Sequence, residues 1–104
     1  MKLFGLKNCD TCRAARKSLP EAEFVDIRDS PMDPKLLEKA HSQFGEALVN
    51  RRSTTWRGLS EEERAEAPLD LLSRHPALMK RPLIVDGDRM VLGWTPAAKA
   101  ELGV

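Results

Sequence analysis

Two short apolar runs, residues 2–6 and 23–27, flank one stretch of helix formers, residues 13–19, that Pro20 stops. This strand, helix, strand order constrains the chain more than any other feature, because one helix between two strands favours a right-handed parallel βαβ crossover. The only cysteines, Cys9 and Cys12, fall in its first βα turn. With 104 residues the chain is expected to form one domain, and 41% AVILMFWYC with 6 Gly places it in the globular range. Seventeen Lys and Arg against sixteen Asp and Glu leave a net charge of +1, which removes the overall field of a nucleic-acid or membrane-surface binder. No apolar run approaches a membrane span and no signal-peptide core precedes the first strand, so a cytoplasmic location is expected.

After the βαβ unit, Asp33 and Pro34 form an N-cap and first-turn pair, Leu36, Leu37, Ala40 and Phe44 keep helical spacing, and Gly45 stops the pattern. A helix over 34–44 is predicted. Residues 49–58 are polar and basic around Trp56 and read as a loop or a short helix. Ser60 and Glu63 form a capping box that starts another helix, which Pro68 interrupts or restarts. Leu69, Leu71, Leu72 and Leu78 suggest a further helical piece. Residues 83–85 and 90–92 flank Asp86-Gly87-Asp88-Arg89 as a hairpin, and Thr95-Pro96 starts a terminal helix ending near Gly103. The predicted class is α/β: βαβ then ββα on one mixed sheet (about 1–33 and 76–104), with a helical insertion over about 34–75.

A C-x-x-C at a helix start within a βαβ pattern has a direct rationale, since free helix N–H groups and the dipole stabilise a thiolate. In Asn8-Cys9-Asp10-Thr11-Cys12-Arg13, Cys9 precedes the helix and Cys12 lies in its first turn. Cys9 is therefore expected to attack and Cys12 to resolve. Residues 1–17 add five basic groups against the single acid Asp10. The plain alternative is two small buried side chains. A zinc site is not expected, because His41 and His75 lack the three-to-five spacing of a ligand pair. Pro82, just before an apolar run, suits the first residue of a strand and a cis Arg81-Pro82 bond. If that strand returns beside the first, Arg81 and Pro82 come close to Cys9; otherwise Arg81 is a solvated surface cation. Arg51, Arg52 and Arg57 likewise form either an anion patch or a soluble loop.

Residues 7–16, 48–57 and 75–85, together with Val91-Leu92-Gly93-Trp94, resemble in that order the arsenate reductase and Spx family of thioredoxin-like proteins. The resemblance implies a thioredoxin-like sheet with a helical insertion, Cys9 as nucleophile, and Arg81 as the arginine before the site proline. Asn8, Thr11, Arg13, Arg51, Arg52 and Pro82 complete the implied anion or substrate site. Two of the three arginines that hold the oxyanion in arsenate reductases fall here at Asn50 and Gly93. Arg51 or Arg52 is the candidate replacement for the first, and nothing beside Gly93 replaces the second, so arsenate is expected to be a poor substrate.

The Asn-Cys-Asp-Thr and Thr-Thr-Trp-Arg segments are similar to the branch of glutathione-dependent thiol reductases. The resemblance thus implies a reductase with no bound cofactor or metal and with glutathione, another small thiol or a redox protein as co-substrate. The Cys-x-x-Cys pair is typical of Spx-type regulators, which implies the alternative: a disulfide sensor binding the RNA polymerase α subunit. Neither reading involves direct nucleic-acid or membrane contact, and a monomer is expected.

Overall fold

The computed structural model describes residues 1–104. Its elements are β1 (Lys2–Gly5), α1 (Asp10–Ser18), β2 (Glu23–Asp26), α2 (Pro34–Phe44), α3 (Thr54–Arg57), α4 (Glu61–Arg64), α5 (Pro68–Arg74), β3 (Leu83–Asp86), β4 (Arg89–Leu92) and α6 (Pro96–Leu102). Two 3-10 turns, Gly45–Leu48 and Pro76–Leu78, sit among the central helices. The sheet runs β2-β1-β3-β4. β1 is parallel to β2, with Leu3 opposite Phe24, and antiparallel to β3, with Leu3 opposite Ile84. β3 and β4 form the expected antiparallel hairpin. No helix is long and apolar enough to cross a membrane.

The chain divides into two compact units. The first, Met1–Ser30 with Arg81–Val104, carries the sheet, α1 and α6. Leu3, Ala15, Leu19, Ile84, Val91 and Ala98 make its core, with Phe24 and Trp94 packed at the edge. On the inner strand β3, consecutive residues Leu83 and Ile84 are both 0% exposed, so both faces of the strand are covered. α6 starts where Thr95 accepts the Ala98 N–H at 3.1 Å and stops at Gly103, whose φ of 74° is left-handed backbone suited to glycine.

The second unit, Pro31–Lys80, is helical. α2 has the predicted bounds: Asp33 accepts the Lys35 N–H at 2.8 Å and Gly45 takes a φ of 57°. The polar stretch 49–58 contains one turn, α3, capped by the Ser53 hydroxyl on the Trp56 N–H at 3.1 Å. The Ser60 and Glu63 capping box is formed in both directions at 3.1 Å. Its helix α4 nevertheless ends at Arg64, short of Pro68, because Pro68 forces Ala67 into extended backbone (ψ 141°). Pro76 likewise keeps His75 out of helical backbone (ψ 75°), which splits the leucine-rich stretch into α5 and a 3-10 turn. The helical segment is also longer than 34–75. The Leu48 carbonyl accepts the Lys80 N–H at 2.8 Å and the Leu78 carbonyl the Asn50 N–H at 2.7 Å, tying residues 76–80 to it.

Ile84→Ala removes most of a fully buried side chain from the centre of the sheet unit. It should cost about 2–5 kcal/mol of unfolding free energy, read as a lower urea midpoint at constant slope, and a loss under about 1 kcal/mol would show that the core closes over the gap.

Candidate active site

β1 ends at Gly5, and three loop residues later Cys9 takes extended backbone (φ −101°, ψ 118°) as the N-cap of α1. The loop is fixed from both sides. At the end of β2, beside Gly5, the Asp26 carboxylate accepts the Lys7 N–H at 3.0 Å and the Arg28 N–H at 2.9 Å. Partial burial works against that carboxylate, but the N–H groups of Arg28, Lys7 and Asp29 and the Lys7 charge outweigh it and hold the acid below its ordinary value. The Lys7 ammonium also pairs with Asp29 at 3.3 Å, and the Cys9 N–H reaches the Leu6 carbonyl at 3.3 Å.

An N-cap side chain normally accepts the N–H of the third helical residue, which here is Cys12. As a neutral thiol, Cys9 makes no capping hydrogen bond. As a thiolate it has the Cys12 amide, the Cys12 thiol and the Arg81 guanidinium. Burial alone would raise the Cys9 pKa, yet these partners and the Arg81 charge outweigh it and bring the thiol below 9.0. Cys12 is the opposite case. It is 0% exposed, and burial, with the charge of Cys9 adding to it, pushes its thiol up to about 11 against a hydrogen bond from Leu6. Both cysteines are free thiols. One sulfur is half-exposed with its pKa lowered, while its neighbour is enclosed with its pKa raised.

The enclosure depends on Gly5. A Cβ at this position would stand 2.5 Å from the Cys12 sulfur, inside any tolerable contact, so β1 and α1 approach this closely only because Gly5 lacks a side chain. Arg81 arrives from β3. Antiparallel pairing places Leu83 opposite Phe4, so the residues just before β3 come to the Gly5 end of β1. Pro82 is fully buried, its carbonyl accepts the Gly93 N–H at 2.8 Å, and the Arg81-Pro82 bond is cis.

Cys9, Cys12, Arg81 and Pro82 are thus brought together. Asn8 and Thr11 are exposed beside Cys9, and Arg13 pairs with Asp10 at 3.4 Å. Arg51 and Arg52 belong to the other unit. There Arg51 pairs with Glu46 at 3.9 Å and lies 5.5 Å from the centre of the Trp56 ring, while the Arg52 N–H is held by the Asn50 side chain at 3.1 Å. Asn50 therefore serves its own turn. Gly93 has a φ of 83°, a conformation that strains a side-chain-bearing residue such as arginine. His75 sits 3.4 Å from Glu63, and no group of three or more His, Cys, Asp or Glu could hold a metal ion. Gly5 and Asp26 are the site residues that sequence reasoning missed. Their signals were present: a glycine inside a strand pattern marks close backbone approach, and an acid ends the parallel neighbour at the same level.

The ArsC family model matches residues 4–102. An uncharacterized protein of Haemophilus influenzae is 38% identical over 101 residues, covering 88% of this chain and 89% of that protein. The global transcriptional regulator Spx of Streptococcus mutans is 30% identical over 102 residues, covering 88% and 74% respectively. Among solved structures, the YFFB protein superposes with a TM-score of 0.85 at 31% identity over 95% of both chains.

The thiolate is the reacting form, so alkylation of each cysteine slows as pH falls through its pKa. Iodoacetamide labelling of Cys9 should reach half its limiting rate below pH 9.0 and that of Cys12 only near pH 11. Arg81→Ala should move the Cys9 midpoint upward, and an unmoved midpoint would remove Arg81 from the site. Gly5→Ala should cost about 1–3 kcal/mol of stability through overpacking and expose the Cys12 sulfur, seen as faster Cys12 labelling at fixed pH.

Proposed function

The chain belongs to the ArsC family, and from that premise we propose that it is a thiol-dependent reductase with Cys9 as nucleophile and glutathione as reductant. The observation that carries this reading is the division between the two sulfurs: Cys9 is half-exposed with a lowered pKa beside Arg81, and Cys12 is enclosed with a raised one. On a glutathione mixed disulfide, the Cys9 thiolate attacks the glutathionyl sulfur, a new S–S bond forms, and the substrate thiolate leaves with the electron pair of the broken bond and takes up a proton. A second glutathione thiolate then attacks that glutathionyl sulfur, releasing glutathione disulfide and the Cys9 thiolate. Arg81 and the Cys12 amide act in both steps, since a stabilised thiolate is also the better leaving group.

Cys12 offers a second way to resolve the intermediate. With a thiol pKa near 11, on the order of one molecule in ten thousand carries the Cys12 thiolate at pH 7. Formation of the Cys9 mixed disulfide removes the Cys9 charge and so one of the influences that raise this pKa, but burial remains. This reading therefore takes external glutathione as the resolver, and Cys12, held next to Cys9, is the alternative.

The resemblance to arsenate reductases assigns three arginines to the oxyanion, of which this chain has Arg81. At the other two positions Asn50 is turned into its own loop and Gly93 holds left-handed backbone. Both features support a preference for thiol substrates over arsenate. A second reading is favoured by the similarity to Spx and by the contact between the Cys9 and Cys12 thiols. In it the Cys9–Cys12 disulfide alters a surface presented to a partner, which the resemblance gives as the RNA polymerase α subunit.

Steady-state assays with glutathione should show turnover of the glutathione mixed disulfide of 2-mercaptoethanol, lost in Cys9→Ser, and little turnover of arsenate. Efficient arsenate reduction would overturn the substrate ranking. Arg81→Lys keeps the charge but loses the planar fork and should weaken glutathione binding by about 1–3 kcal/mol. No turnover, combined with capture of the RNA polymerase α subunit by oxidised protein but not by Cys9→Ser, would establish the second reading instead.

A further inference from the structure

The nucleophile does not stand alone on its helix. Arg13, Arg16 and Lys17 follow Cys9 at four, seven and eight positions, the spacing that places side chains along one helix face. At about 1.5 Å per residue, Arg16 and Lys17 lie roughly 10–12 Å along the axis from Cys9. Here the outer face of α1 and the chain running on into β2 form an open groove of about 420 Å³, lined by Arg13, Arg16, Lys17, Leu19, Pro20 and Phe24. Arg13 is partly neutralised by Asp10 at 3.4 Å, whereas neither Arg16 nor Lys17 has a carboxylate partner. The Arg16 guanidinium lies 4.1 Å from the centre of the Phe24 ring. A guanidinium held against a ring face in this way keeps its N–H donors for a further partner, and a carboxylate matches their planar fork.

Two cations in the last turn of a helix have a routine explanation, since they complement the helix dipole. That accounts for the charges but not for the open groove, the stacked guanidinium or the alignment with Cys9. We infer that this groove binds the acidic flank of a peptide whose cysteine forms the mixed disulfide with Cys9, an Asp or Glu three residues from that cysteine meeting Arg16 and Lys17. The length selects the occupant: three extended residues at about 3.3 Å each span roughly 10 Å. Glutathione carries its carboxylates on the residues directly flanking its cysteine rather than three residues away, so it serves as the comparison ligand in the test. The inference rests on the reading of Cys9 as a thiol–disulfide nucleophile and adds the substrate class, a protein or peptide disulfide with a nearby acid.

The test uses the full reduced chain and hexapeptides whose single cysteine is activated as a mixed disulfide with 2-nitro-5-thiobenzoate. The Cys9 thiolate attacks the peptide sulfur, the Cys9–peptide disulfide forms, and the coloured thionitrobenzoate thiolate leaves with the electron pair of the broken S–S bond. Peptides with Asp or Lys three residues from cysteine are compared with the glutathione–thionitrobenzoate mixed disulfide. The wild type should favour the Asp peptide over the Lys peptide by about tenfold in second-order rate constant, and the ratio should shrink in high salt. In the double variant Arg16→Ala/Lys17→Ala the ratio should approach one, and in Arg16→Glu/Lys17→Glu it should invert in favour of the Lys peptide, a gain that a misfolded chain cannot produce. A wild-type ratio near one, or a ratio unchanged in the double variant, overturns the inference while leaving Cys9 chemistry intact. Equal loss of rate with the glutathione probe assigns the groove to small thiols and also overturns it. Release from none of the probes sinks the thiol-exchange reading and the inference with it.

Discussion

The pairing of β1 with a strand on each side is the constraint on which the site depends. β2 lies parallel along one edge of β1 and brings Asp26 level with Gly5, where its carboxylate holds the loop that carries Cys9. β3 lies antiparallel along the other edge and delivers Arg81 and Pro82 to the same end. The strand itself ends in the one residue small enough to let α1 settle with the Cys12 sulfur against the backbone. A slip of one residue in either register would move Asp26 or Arg81 by about 3.3 Å and turn alternate side chains to the opposite face. Hydrophobic patterning prevents this, because Leu3, Ile84 and Val91 bury in the same core only in the observed register.

The two thiols are set apart by environment rather than by identity. Both are burdened by desolvation, and what differs is the partner each receives when charged. Cys9 has an amide at a helix start and a guanidinium, while Cys12 has the Leu6 amide but also a neighbour whose own charge repels it. Lowering a thiol pKa raises the fraction ionised but weakens the nucleophile, so the useful setting lies near ambient pH. Burial of Cys9 works against that stabilisation, so the net lowering is smaller than its partners alone would produce.

Local signals in the sequence marked the elements well. The Asp33-Pro34 and Thr95-Pro96 starts, the Ser60 capping box and the Gly45 and Gly103 stops all operate within four residues, and each is found where it was expected. Cys9 and Cys12 were legible as a pair for the same reason, being fixed by one turn of helix. The misses involve residues brought together over distance. The extent of the helical segment depends on hydrogen bonds from Lys80 to Leu48 and from Asn50 to Leu78, and the role of Gly5 depends on a sulfur in another element. Arg81 lies between these cases: its chemistry was readable, but its place beside Cys9 followed only once β3 was assumed to return alongside β1.

That return has a consequence for the young chain. Arg81 is separated from Cys9 by 72 positions (81 − 9), and at about 5–20 residues per second a ribosome takes roughly 4–14 s to cover them. During that interval α1, with nine residues, is too short to persist as an isolated helix in water, and the guanidinium does not yet exist. Until then the nascent thiol lacks the two groups that lower its pKa in the folded chain, the Cys12 amide at a formed helix start and the Arg81 guanidinium. The second partner arrives only when the β3–β4 hairpin docks against β1, so the reactive site is assembled from segments made seconds apart.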